Sequence, residues 1–365
     1  MNKIRGLDGI RALAALSVVF SHLHLYKMLN DKDIISQSVT NSIDGNAAVQ
    51  AFFVLSGFLI THLLISEQKK YGTISLYNFY LRRSLRIFPL YFFVILLVAF
   101  FQYTGENVTN IKSIIFSAFY SYNFIPKAWY SPILGHTWSL AVEEHFYLIW
   151  PFVFITIAPH FKKLIRVLFI FISISLLLAI ILTNINFIND NFFIKRWSFI
   201  AGSNIAMGGL LAILLADPIR INIKKLLRTK GALAIGLTLI FCETWFHEAS
   251  YFITQYIRGA GFTILIGWIT LNQKNILTKS LDIYPLRYLG KISYGIYMYQ
   301  GLFISTGPYR ETNQTWPPDQ WIGIILLIII APLSYHYFEK PILNLKHKLQ
   351  HSSNKTHNAV ISTSD

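Results

Sequence analysis

The sequence predicts an all-α, polytopic integral membrane protein with about ten transmembrane helices and both termini in the cytoplasm. Three observations point there. Of 365 residues, 54% are hydrophobic and only 13% charged, and the mean hydropathy of +0.47 lies far above that of soluble globular chains. Apolar runs of roughly the length that crosses a bilayer recur from end to end. Lys and Arg are distributed unevenly between alternate connecting segments, and that bias sets orientation.

The apolar runs lie near 10 to 26, 47 to 66, 85 to 103, 138 to 158, 164 to 183, 197 to 216, 231 to 246, 251 to 271, 287 to 305 and 320 to 339. With the N-terminus inside, 22 of the 32 Lys and Arg residues fall in cytoplasmic segments or at the cytoplasmic ends of spans and 7 in external segments, while Arg11, Arg258 and Lys291 are counted within spans. The net charge of +15 is therefore a topology signal rather than a nucleic-acid footprint. No small-residue cleavage site follows the first run, so it is expected to remain as a helix. Cys242 is the single cysteine, which excludes an intramolecular disulfide and leaves no thiolate metal cluster or redox pair. No metal is expected.

The first span, GLDGIRALAALSVVFSHLHLY (Gly6 to Tyr26), carries Arg11 near its beginning and His22 near its far end. Eleven residues at about 100° each make roughly three turns plus 20°, so both project from one face about 16 Å apart along the axis. A charge inside the bilayer costs about 2.5 to 3.5 kcal/mol on insertion scales and usually faces protein or a water-filled cavity. Together they predict a site lying across the membrane. The alternative is that both groups snorkel to the two interfaces and merely bound the span.

In the second span, FFVLSGFLIT (Phe52 to Thr61), Ser56 and Gly57 are expected to let another helix approach closely. At the cytoplasmic entry to the third, FYLRRSLRIFPLYFF (Phe79 to Phe93) gathers Arg82, Arg83 and Arg86. Arg82 and Arg86 are spaced i, i+4 on one face, and guanidinium forks pair bidentately with phosphate. Ordinary positive-inside anchoring is the competing account. The external segment Thr104 to Thr137 is partly apolar and predicted to fold back over or partly into the membrane.

The fourth span opens with GHTWSLAVEEHFYLIWP (Gly135 to Pro151). Glu143 lies about 8 Å below the outer end of its helix, within roughly a turn of the depth of His22. A buried carboxylate there would orient the histidine as a base, unless it belongs to a structural ion pair or a wet vestibule. The spans from Leu164 to Leu271 read as scaffold, with Gly202, Gly208 and Gly209 at helix contacts. Arg258 would pair with Glu243 or line a pathway. Most tyrosines of YLGKISYGIYMYQ (Tyr288 to Gln300) and of YHYFEKPI (Tyr335 to Ile342) fit interfacial aromatic belts. Residues 1–342 are expected to form one membrane domain and 343–365 a polar, disordered cytoplasmic tail.

Taken in order, LDGIRALAALSVVFSH, FFVLSGFLI, RRSLRIFP, HTWSLAVEEHFYLIWP, LGKISYGIYMY and FEKP resemble the acyltransferase-3 family of integral membrane acyltransferases over nearly the whole chain. The resemblance implies transfer of an acyl group, usually acetyl, from cytoplasmic acyl-CoA to an extracytoplasmic or membrane-bound acceptor, commonly a saccharide hydroxyl. Family motif residues fall on Arg11, His22, Arg82, Arg86 and Glu143. The chain departs from the family's pattern at Gln300, often histidine, and at His145, often glutamine. Many relatives also carry a soluble hydrolase-like domain after the membrane portion, which is not expected here.

The combined expectation is a plasma-membrane O-acyltransferase. Arg82, Arg83 and Arg86 would hold the phosphates of acyl-CoA (acetyl-CoA), whose arm threads past Arg11. His22 would act as general base or transient acyl carrier, and Glu143 would orient it. Its partners would be acyl-CoA, a saccharide or glycolipid acceptor and the lipid bilayer, not nucleic acid. The competing class is a transporter or flippase of a glycolipid, which intramembrane charges also suit; the chain lacks the internal repeat many transporters show. A nonenzymatic partner in polysaccharide assembly is a third class. Mass analysis of the surface glycan separates them.

Overall fold

A computed structural model describes residues 4–32, 34–105, 109–158, 160–241, 251–304 and 316–345. Ten principal helices follow one another: α1 (Leu7–His22), α2 (Gly45–Tyr71), α3 (Leu76–Tyr103), α4 (Thr137–Ile157), α5 (Phe161–Thr183), α6 (Ser198–Ala216), α7 (Lys230–Ile240), α8 (Tyr251–Leu271), α9 (Tyr284–Phe303) and α10 (Gln320–Ser334). No strand occurs among the described residues; the one β-type pairing is an isolated bridge between Pro126 and Phe192.

Local chemistry sets the helix ends. Asp44 accepts from the amide of Ala47 at the start of α2, Ser75 from Asn78 at α3, and Asp319 from Ile322 at α10, each satisfying an orphan donor of a first turn. Helix α2 stops at Gly72, whose φ of 72° is the left-handed conformation glycine adopts without penalty. Three more residues separate it from α3, so the two helices run antiparallel. The chain continues in this up-and-down manner, which leaves the α2–α3 turn and the α6–α7 connection at one end of the bundle and the segment 109–136 at the other.

Six of the described helices are long and apolar enough to cross a membrane, spanning Gly45–Tyr71, Leu76–Tyr103, Pro132–Ile157, Phe161–Thr183, Ile194–Ala216 and Gln320–Leu345. A helix stands at each of the ten expected places, but ten spans is more than length and composition support. Helix α1 has 16 residues and α7 has 11; α8 carries Arg258, and α9 carries Arg287 and Lys291. The last helical stretch runs to Leu345, past the expected domain boundary, and residues 346–365 lie outside the described ones. So do Cys242 and Glu243.

Helix α2 is the innermost of the six, 72% buried along its apolar window, whereas α5 and α10 are 22% and 17% buried. The outer pair turn Phe169, Ile170, Leu177, Ile325, Ile328 and Ile329 outward, an apolar belt suited to lipid. Helices α2 and α6 cross at backbone contact. A side chain on Gly57 would strike the carbonyl of Ile205, and one on Gly208 that of Val54, the close approach small residues permit between membrane helices. Against α2 lies α1, which in turn packs on α9.

The segment after α3 folds into the bundle rather than over it. Ser113, Ser117 and Tyr122 are fully buried. Tyr91 donates to the carbonyl of Ser117 at 2.8 Å, Tyr122 to that of Ser131 at 2.6 Å, and Ser117 meets Thr137 at 3.1 Å. These bonds satisfy polar groups that water cannot reach. They also fix Tyr130 and His136 over the end of α1.

Candidate functional site

Two cavities lie in succession along α1. The inner one, about 680 Å³ with its mouth included, gathers Arg11 from α1, Ser56 from α2, Arg83 and Arg86 from α3, Glu143 and Tyr147 from α4, and Ser293, Tyr294 and Tyr297 from α9. The outer one, about 660 Å³ on the same measure, holds His22, His136, Arg196, Tyr130 and Trp138. Val49 and Tyr297 line both. These two side chains therefore stand where the chambers meet.

Each position follows from its helix. Arg11 and His22 do face inward from one side of α1, and their spacing of eleven positions places them in different chambers. Glu143 and Tyr147 are one turn apart on α4, and the Tyr147 hydroxyl donates to Oε2 of Glu143 at 2.9 Å. Ser56 donates to Oε1 at 3.0 Å. Arg83 lies with its guanidinium 4.8 Å from the centre of the Tyr147 ring, a cation–π distance. Three guanidinium groups and one carboxylate thus line the inner chamber, an electropositive cleft that would concentrate anions.

Three expectations about partners change. Glu143 has both oxygens bonded within Arg11's chamber, while His22 opens into the other, so Glu143 is not the group that orients His22. Depth counted along one helix ignores how neighbouring helices are staggered. Arg82 does not share the inner chamber with Arg86, because it is paired with Glu67 at 2.9 Å; Arg83 and Arg86, at i, i+3, face the cavity together. Ser56 is a hydrogen-bonding member of the chamber rather than a packing residue, although its neighbour Gly57 does pack.

Residues that sequence reasoning passed over complete the outer chamber. His136 is 4% exposed, and its Nε2 has no hydrogen-bond partner among the described residues. Gly301 lets α9 press against it, since a side chain there would meet the His136 ring and the carbonyl of Ile133. Tyr297, expected at an interface, is instead 7% exposed. Its hydroxyl donates to the carbonyl of His136 at 3.0 Å, and its ring meets that of His136 edge-on at 5.6 Å. A signal existed: Tyr297 and Gln300 are i, i+3 on one helix beside a small-residue face, which marks a buried stripe.

Of the other groups singled out in the sequence, His145 bonds Ser198 at 2.6 Å through Nδ1 and Gln300 is fully buried. Arg258 is 1% exposed. No group of three His, Cys, Asp or Glu residues suited to a metal ion occurs among the described residues.

A family model described as an acyltransferase domain matches residues 4–336, and so takes in α1 to α10 and both chambers. Two O-acetyltransferases OatA of Staphylococcus aureus, from strains NCTC 8325 and COL, are each 29% identical over 367 residues, covering 92% of this chain and 57% of theirs. The chain thus spans little more than half the length of these relatives. No solved structure matches it.

Proposed function

This chain belongs to the acyltransferase domain family, and on that premise we propose that it is a plasma-membrane O-acetyltransferase carrying acetyl from cytoplasmic acetyl-CoA to a hydroxyl of an extracytoplasmic or lipid-linked saccharide. The observation that carries the proposal is the pair of cation-lined chambers along one helix, Arg11 in the first and His22 in the second. A donor entering from the Arg-rich end and an acceptor entering from the other would meet near Tyr297. The relatives' name, O-acetyltransferase, supports acetyl as the group and oxygen as its destination.

On this proposal Arg83 and Arg86 take the donor's phosphates, through the bidentate pairing guanidinium allows. Arg82, held by Glu67, stiffens the turn beside them. Glu143, fixed by Ser56 and Tyr147, holds Arg11 and Arg83 toward the cavity against their mutual repulsion. His22 removes the proton of the acceptor hydroxyl, whose oxygen attacks the thioester carbonyl; the carbon–sulfur bond breaks, and the thiolate leaves and is protonated.

Purified protein in nanodiscs, given acetyl-CoA and saccharide acceptors, should release free thiol only when an acceptor is present. The surface glycan of cells lacking the gene should lose O-acetyl groups by mass analysis. Unchanged acetylation with a glycan lost from the surface would overturn the proposal in favour of a flippase.

A further inference from the structure

The outer chamber contains a cation that the transfer step leaves unused. Arg196 stands at the mouth of the membrane-length helical stretch Ile194–Ala216 and borders both the outer chamber and a polar recess beside it, where Gln50 and Lys195 also face inward. Its guanidinium lies 4.2 Å from the ring centre of Phe193, 5.0 Å from that of Tyr130 and 5.6 Å from that of Trp138. Nη1 is buried and has no hydrogen-bond partner among the described residues. Among the described residues, no Asp or Glu lines the chamber or the recess.

A buried donor on a permanently charged group is costly unless something accepts from it. The three rings hold the guanidinium in place but cannot accept from its edge. Gln50 supplies a second unmatched group: it is 4% exposed, and its Oε1 lacks a partner among the described residues. The recess is therefore lined by a charged donor and a neutral acceptor. Trp138 and Tyr130 add flat apolar faces. An acidic sugar has the complementary groups, an anionic oxygen for the guanidinium, a hydroxyl for the amide oxygen and a ring face for the indole.

Resting on the acceptor assignment above, we propose that this recess binds a negatively charged group on the acceptor saccharide, with Arg196 as its anchor, so that the enzyme selects acidic over neutral glycans. Arg196 positions the acceptor and takes no part in the proton transfer.

The full chain in nanodiscs is titrated calorimetrically, without acetyl-CoA, with methyl glucuronide, glucose 6-phosphate and methyl glucoside. At least one charged sugar should bind tenfold or more tighter than the neutral one; a tighter glucuronide assigns a carboxylate, a tighter sugar phosphate a phosphate, and either supports the site. Arg196→Gln should erase the preference while keeping the wild-type melting temperature, and Arg196→Lys should restore part of it, because lysine keeps the charge and loses the fork. Equal binding of all three sugars, binding of none, or a preference surviving in Arg196→Gln overturns the proposal. Thiol release from acetyl-CoA is scored separately: a charge preference without acetyl transfer upholds the recess and removes the enzyme assignment.

Discussion

At the residue scale, the charges legible in the sequence are those set against apolar surroundings. Arg11, His22 and Glu143 stand out because each interrupts a run of hydrophobic residues, and all three line the chambers. His22→Ala should lower acetyl transfer by about 10² to 10⁴, the usual contribution of a general base, with unchanged membrane abundance, since removing a polar group does not hinder insertion. Transfer at wild-type rate would make His22 a boundary residue of α1, and an acetylated histidine trapped by mass spectrometry would make it a carrier instead of a base. Partnerships were less legible than positions. Residues 56 and 57 differ by about 100° around their helix, enough to turn Gly57 onto α6 and Ser56 toward Glu143, and nothing within the two-residue string says which goes where. Likewise Arg82, Arg83 and Arg86 look equivalent until Glu67, fifteen residues earlier, claims the first. Replacing Arg83 and Arg86 together by lysine keeps the local charge but loses the planar forks. Losing hydrogen bonds to a charged group, at about 1.5 to 3 kcal/mol each, should weaken coenzyme A binding by about tenfold or more while leaving acceptor affinity in place. Arg82→Lys should change donor affinity little. Equal losses from both variants would return Arg82 to the donor site.

At the scale of elements, the periodicity of apolar runs located every principal helix, because a membrane helix must satisfy its own backbone and so needs an unbroken stretch. Connections were harder to read. The segment 109–136 owes its place to hydroxyl-to-carbonyl bonds such as Tyr91 to Ser117 and Tyr122 to Ser131, contacts between residues far apart or of no distinctive pattern. The same holds for α9, where Tyr294, Tyr297 and Tyr299 look like a belt, yet Tyr294 donates to the carbonyl of Ile87 at 2.7 Å and Tyr299 to Ser334 at 3.1 Å. The α2–α6 crossing tests how far the chambers depend on helix packing. Gly57→Leu would force a branched side chain into the Ile205 carbonyl, where overpacking costs about 1 to 3 kcal/mol and more when backbone must move. It should lower the melting temperature and weaken donor and acceptor binding together, because α2 contributes Ser56 and Val49 to the chambers. Gly72→Leu, at an exposed turn with open space around it, serves as the comparison and should act only through the strain of a positive φ, sparing both affinities. If Gly57→Leu melts like wild type, the close crossing is not what holds α2.

For the whole molecule, the decisive quantity is orientation, since on the proposed function a cytoplasmic donor would have to reach the chamber of Arg83 and Arg86 from the inside. The up-and-down path puts Lys112 and Lys225 at opposite ends of the bundle, and both are exposed. The distribution of Lys and Arg, 22 against 7, predicts that the end with Lys225 is cytoplasmic, because positive segments resist translocation. The same orientation would turn the Arg-lined chamber inward and the chamber of His22, His136 and Arg196 outward, so topology and mechanism stand or fall together. With Cys242 replaced by serine, the chain has no other cysteine, and a single new thiol reports one location. In intact cells a membrane-impermeant maleimide should label Lys112→Cys and leave Lys225→Cys untouched until the membrane is opened. The reverse pattern would put the guanidinium chamber on the side that has no coenzyme A, and Arg83 and Arg86 could not then serve a cytoplasmic donor however well they bind phosphate. Labelling of both in intact cells would mean mixed insertion, and the charge bias would be too weak to orient the chain.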